Sequence, residues 1–126
     1  MENKWKNPNF FQSFKNALNG IKEVIKTGKN IKIQIAFAIF AIIMGIVFKV
    51  NNIEALILVL TIFFVLVSEF LNTAIEMLAD LYTTEYNEKI KVLKDIGAGA
   101  VLLSAIASVI IGIIIFLPKI LNLIIK

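Results

Sequence analysis

The chain has 126 residues, a net charge of +4, 59% hydrophobic residues and a mean hydropathy of +0.87. Its length is that of one domain, 1–126, but the composition is too apolar for a water-soluble one, where roughly 45–50% is usual. With neither cysteine nor histidine, disulfides, thiolate nucleophiles, Ser-His catalysis and thiolate or imidazole metal sites are excluded. Chemistry is left to carboxylates, lysines, amides, hydroxyls and hard metal ions.

Residues 1–30 lack the apolar core and small-residue cleavage site of a secretory signal. Within them Phe10, Phe14, Ala17, Leu18, Ile21, Val24 and Ile25 recur at helical spacing, with Lys15, Lys22, Lys26 and Lys29 on other faces. The spacing predicts an amphipathic helix over 10–27, lying at a membrane surface with its lysines toward anionic headgroups. A basic helix packed on the rest of the protein fits the same pattern. Thr27-Gly28-Lys29-Asn30 is not the end of a phosphate-binding loop, since Gly20 precedes Gly28 by eight residues and Asn30 replaces Ser/Thr.

Three membrane spans are expected next, at about 31–48, 54–81 and 95–117. Ile33 to Phe48 and Ile96 to Leu117 carry no ionisable side chain, and the latter alone is long enough to cross a bilayer core of about 30 Å. Seven lysines precede or open the first span (Lys4, Lys6, Lys15, Lys22, Lys26, Lys29 and Lys32) and three (Lys89, Lys91, Lys94) separate the second from the third. Only Lys49 lies in the first loop, and Lys119 and Lys126 follow the last span. The N-terminus and second loop should therefore be cytoplasmic and the C-terminus outside. In the third span Ala100, Ser104, Ser108 and Gly112 stand four apart, a small-residue ridge that lets another helix approach closely and points to a homo-oligomer.

The second span holds the candidate site. Glu69, Asn72, Glu76 and Asp80 fall near 0°, about −60°, about −20° and about +20° around the helix, with Thr73 near +40°. Asp80 lies nearest the cytoplasm and Glu69 about 16 Å deeper. A carboxylate in a membrane helix costs roughly 2.5–3.5 kcal/mol on insertion scales, so two glutamates and an amide on one deep face call for a function. Four readings fit the residues: a structural hydrogen-bond network, an ion path, a proton relay, or a metal and phosphate site. Against conduction, Ala55 to Val67 offers only Thr61 as a polar group. Lys94 and Asp95 open the third span at the level of Asp80, where lysine can hold phosphate and carboxylates can hold Mg²⁺. Taken alone, a lysine such as Lys94 more often sets topology than takes part in catalysis.

The run Glu69-Phe-Leu-Asn72-Thr-Ala-Ile-Glu76-Met-Leu-Ala-Asp80, continued by Glu85-Tyr86 and Lys94-Asp95-Ile-Gly-Ala-Gly, resembles the prokaryotic diacylglycerol kinases, small membrane lipid kinases. The resemblance extends from Ser13-Phe14-Lys15-Asn16-Ala17 to Phe116-Leu117-Pro118-Lys119, and both ends look like the Gram-positive branch that phosphorylates undecaprenol. It implies a homotrimer in the plasma membrane, with a surface helix and three spans per subunit. Composite sites would transfer the γ-phosphoryl group of MgATP to a lipid hydroxyl, with no nucleic-acid partner. By this resemblance Glu69 is the general base, Glu76 the metal ligand, and Asn72, Asn30 and Asp80 position phosphate and substrate. Lys94 and Asp95 would contact the nucleotide phosphates, with Glu85, Tyr86 and Asn87 beside the nucleoside. Asn16 stands near the nucleotide, where many relatives have tyrosine.

One position departs from the pattern. Relatives usually read Thr-Glu-[Arg/Lys]-Asn where this chain has Thr27-Gly28-Lys29-Asn30, so a second metal-binding glutamate is absent. Glu23 cannot replace it, being about 140° off the required helix face. Either waters and ATP oxygens complete the metal shell, or activity is weakened or lost. The expected function is thus an undecaprenol kinase. The alternatives are a diacylglycerol kinase and, from another class, a non-catalytic membrane subunit that keeps only the packing network.

Overall fold

The computed structural model describes residues 9–125. Among them every regular element is a helix: α1 (Phe10–Thr27), α2 (Ile31–Val47), α3 (Asn52–Tyr82) and α4 (Glu88–Ile125). Lys4, Lys6 and Lys126, which entered the topology argument, lie outside the described residues. The all-α architecture expected from hydropathy is what the chain adopts.

α1 is capped by Asn9, whose side chain accepts the Gln12 backbone N–H at 2.8 Å. It ends where Gly28 turns extended (φ −64°, ψ 139°) while still donating to the Val24 carbonyl. α2 then departs at 102° to α1, the angle a surface helix makes with a span. No residue of α1 is buried, and Phe10, Phe14, Leu18, Ile21 and Ile25 of its apolar face are all exposed. The alternative of a helix packed on its own subunit therefore fails. Its apolar face must be covered from outside the chain.

α3 and α4 are each long and apolar enough to cross a membrane. α2, with 17 residues, reaches about 25 Å, the short end of a span. The turn after it puts Lys49 in the left-handed region (φ 51°) and lets Val50 donate to the Gly45 carbonyl at 3.1 Å. Asn51 and Glu54 then exchange side-chain and backbone hydrogen bonds in a capping box that starts α3.

The third span differs from expectation at both ends. It begins at Glu88 rather than Asp95, because the Asn87 side chain caps it, accepting from the N–H groups of Lys89 (3.0 Å) and Ile90 (3.2 Å). It also runs through Pro118 to Ile125 instead of stopping at Leu117. Proline lacks the N–H that closes a helical turn and usually ends a helix. Here the Lys119 ammonium reaches across to Glu54 at 3.0 Å and ties the turn after Pro118 to the start of α3.

α3 packs chiefly on α4 and more lightly on α2. Near the α2–α3 turn the contact is apolar: Leu58, Ile115 and Phe116 form the buried cluster, flanked by Met44, Phe48 and Val50. The Phe48 and Phe116 rings meet edge to face at 6.1 Å. Toward the α3–α4 turn the buried residues become polar. The small-residue ridge is divided: Ser104 is buried in its own subunit, Ala100 is exposed, and Ser108 and Gly112 line a groove of about 360 Å³ between α2, α3 and α4.

Candidate active site

Going along α3 toward the α3–α4 turn, the polar face passes from buried to open. Glu69 is 1% exposed, Asn72 6% and Thr73 5%, while Glu76 is half-buried and Asp80 exposed. The four side chains share one face, as their spacing requires, and that face points into the junction with α2 and α4. Glu69 is met from α2: Gln34 Nε2 donates to its Oε2 at 3.3 Å. The Asn30 backbone lies near enough to act on it electrostatically. Asn30 thus lies at the base, through its backbone, with its side chain exposed at the α1–α2 break and making no capping bond.

Asn72 is met from α4. A Cβ built on Gly97 would collide with Asn72 Oδ1, so the amide fits against α4 only because position 97 is glycine. Asn72 Nδ2 makes a long 3.5 Å contact to Glu76 Oε1. Its Oδ1 is buried without a donor, as is Gln34 Oε1. Buried amide oxygens are rarely left unpaired, and where they are, an absent ligand is one reason.

At the open end the Lys94 ammonium bonds Asp80 at 2.7 Å, joining α4 to α3 at the level expected for them. Lys91 pairs with Asp95 at 2.7 Å one turn away. Thr83, Thr84, Glu85, Tyr86 and Asn87 form the short turn between the helices and, with Lys91, Lys94 and Asp95, line an open cavity of about 480 Å³. Of the residues expected at the nucleotide, Glu85, Tyr86, Asn87, Lys94 and Asp95 line this cavity; Glu76, deeper along α3, does not, and neither does Asn16. Asn16 stays exposed on α1, hydrogen-bonded by Gln12 at 3.0 Å.

No three acidic side chains gather into a metal cage among the described residues. Glu76 supplies one hard carboxylate; Asn72 turns its Nδ2 toward it and its Oδ1 toward Gly97. A single carboxylate fits Mg²⁺, which usually keeps waters and takes its other ligands from substrate phosphates. Sequence reasoning missed two contributors. Gln34 is the one amide in the uncharged run Ile33 to Phe48, a signal visible but not used. Gly97 stood inside the quoted motif, but nothing in its sequence position named Asn72 as its neighbour.

A small all-helical membrane protein with a carboxylate–amide face buried at one end and open to a lysine- and carboxylate-lined cavity belongs to a narrow class. A family model for prokaryotic diacylglycerol kinase matches residues 15–116. The undecaprenol kinase of Bacillus subtilis (strain 168) is 42% identical over 110 residues, covering 87% of this chain and 89% of that protein. A diacylglycerol kinase of Synechocystis sp. is 38% identical over 117 residues, covering 92% of this chain and 67% of that one. The chain belongs to the prokaryotic diacylglycerol kinase family, and it is a membrane lipid kinase.

Proposed function

We propose that the protein transfers the γ-phosphoryl group of MgATP to the hydroxyl of undecaprenol. The observation that carries this reading is the fully buried Glu69, on one helix face with Asn72 and Glu76, in a chain 42% identical to an undecaprenol kinase. Glu69 takes the proton of the lipid hydroxyl as its oxygen attacks phosphorus. Asn72 holds the phosphate and the hydroxyl in line, with Asn30 and Asp80 framing the site. Lys94 and Asp95 contact the nucleotide phosphates, the lysine supplying the attractive charge, and Glu85, Tyr86 and Asn87 border the nucleoside, with Asn16 approaching from α1. Glu76 would hold Mg²⁺, which would neutralise phosphate charge when bound. Phosphoryl transfer asks mainly for positioning and charge neutralisation, which this face is built to supply.

The enzyme is a homotrimer of the plasma membrane, with the α3–α4 turn and N-terminus cytoplasmic and the C-terminus outside. The 38% identity to a diacylglycerol kinase supports the second reading, diacylglycerol as acceptor. Offering both lipids in one micellar assay separates them by which one is phosphorylated. The same assay tests the mechanism. Glu69→Gln should lower kcat by about 10²–10⁴, the usual contribution of general base catalysis. Glu76→Gln should abolish the Mg²⁺-dependent rate. Activity that survives both substitutions would overturn the assignment.

A further inference from the structure

We infer that Gln34 is a positioning residue for the catalytic base, a role that rests on the reading of Glu69 above. Three observations converge on it. First, Gln34 Nε2 is the only side-chain donor to Glu69 among the described residues, at 3.3 Å, and it comes from a different helix, α2. Second, Gln34 Oε1 is buried with no donor of its own. A glutamine serving only as glue between helices would be expected to satisfy both ends of its amide. Third, Gln34 lines the apolar groove between α2, α3 and α4, so its amide sits where the polar site gives way to hydrocarbon.

The consequence is geometric. A free carboxylate can rotate and present either oxygen. With Oε2 held by Gln34, the other oxygen of Glu69 is fixed in one direction for the incoming hydroxyl. In the reaction the lipid O–H bond breaks and its proton passes to Glu69. The lipid oxygen bonds to the γ-phosphorus, and the bond from that phosphorus to the bridging oxygen breaks, with ADP leaving on the electron pair. Gln34 touches neither the lipid oxygen nor the phosphorus nor the leaving group; its contact is with Glu69 Oε2. It sets the angle from which Glu69 meets the hydroxyl, and small misplacements of a reacting group cost rate steeply.

The test is steady-state undecaprenol phosphorylation by the full-length protein in micelles. Gln34→Met keeps the length of the side chain and removes the donor. It should lower kcat about 10- to 100-fold while leaving the KM for MgATP within about twofold, a split that loss of packing would not produce. Gln34→His, which restores an N–H donor, should recover most of the loss. In a Glu69→Gln background Gln34→Met should cost nothing further, because the group it orients is gone. Wild-type kcat in Gln34→Met, or an equal loss with and without Glu69, would overturn the proposal while leaving Glu69 as base. Full activity of Glu69→Gln alone would overturn the base and Gln34's role together. If Gln34→Met does not elute as the wild-type species, Gln34→Asn, which withdraws the donor by one methylene, takes its place with the same expected loss.

Discussion

Asn72 and Gly97 show how tightly the site is fitted at the level of single atoms. Asn72 is 6% exposed, its Oδ1 has no donor, and a Cβ on Gly97 would strike that oxygen. Gly97→Ala gains up to about 1 kcal/mol of helix propensity in α4, so on local grounds alone it should stabilise the protein. The collision reverses that. Gly97→Ala should push Asn72 off its position and lower kcat at least about tenfold, with the melting temperature unchanged or lower. Adding Asn72→Ala should relieve the collision and restore the melting temperature without restoring activity. Thermal melts and lipid phosphorylation of the two variants check both halves. The residues on the α3 face were legible because 3, 4 and 4 spacing fixes a shared side. Their partners were not, since spacing along one helix does not say which atom of another helix comes to rest against it. Gln34 and Gly97 both belong to that second kind.

At the scale of elements, the break between α1 and α2 decides how the missing glutamate should be tested. The family pattern that this chain resembles has glutamate at the position of Gly28, so Gly28→Glu is the natural restoration. The backbone angles at Gly28 suit any residue, but a Cβ there would lie 2.6 Å from the Val24 carbonyl oxygen and 3.1 Å from Ile31 Cγ2. Ile31 is fully buried and cannot yield easily. Any side chain at 28 must therefore shift the α1–α2 connection, and Gly28→Ala measures that cost alone. Gly28→Ala should lower the melting temperature, and its activity should be at or below wild type. Gly28→Glu should pay the same thermal penalty yet exceed Gly28→Ala in activity and need less Mg²⁺ for half-maximal rate. Equal activities of the two at every Mg²⁺ concentration would show that a carboxylate at 28 adds nothing here. The four helices themselves were legible from hydropathy and periodicity, while the limits of α4 were not. A short-range cap from Asn87 began it early, and a long-range ion pair between Lys119 and Glu54 carried it past Pro118.

The whole molecule exposes 10157 Å², whereas a compact water-soluble chain of 14.1 kDa would expose about 6,700 Å². Exposed apolar side chains lie on all four helices, from Phe10 and Phe14 on α1 to Leu102, Leu103 and Ile114 on α4. Lipid and neighbouring subunits are what can cover them. α3, at 31 residues, is about 46 Å long and α4, at 38, about 57 Å, so both outreach the bilayer core and carry their ends into the headgroups or beyond. In the topology proposed above α2 is the third span, which puts the two ends on opposite sides. The lysine distribution supports the cytoplasmic α3–α4 turn proposed above. Because the chain has no cysteine, single cysteines report this cleanly. In intact cells a membrane-impermeant maleimide should label Lys126→Cys and leave Thr84→Cys, at the exposed α3–α4 turn, unlabelled until the membrane is permeabilised. The reverse pattern would put the nucleotide cavity on the side away from cytoplasmic ATP, and the kinase orientation proposed for this chain would fall with it.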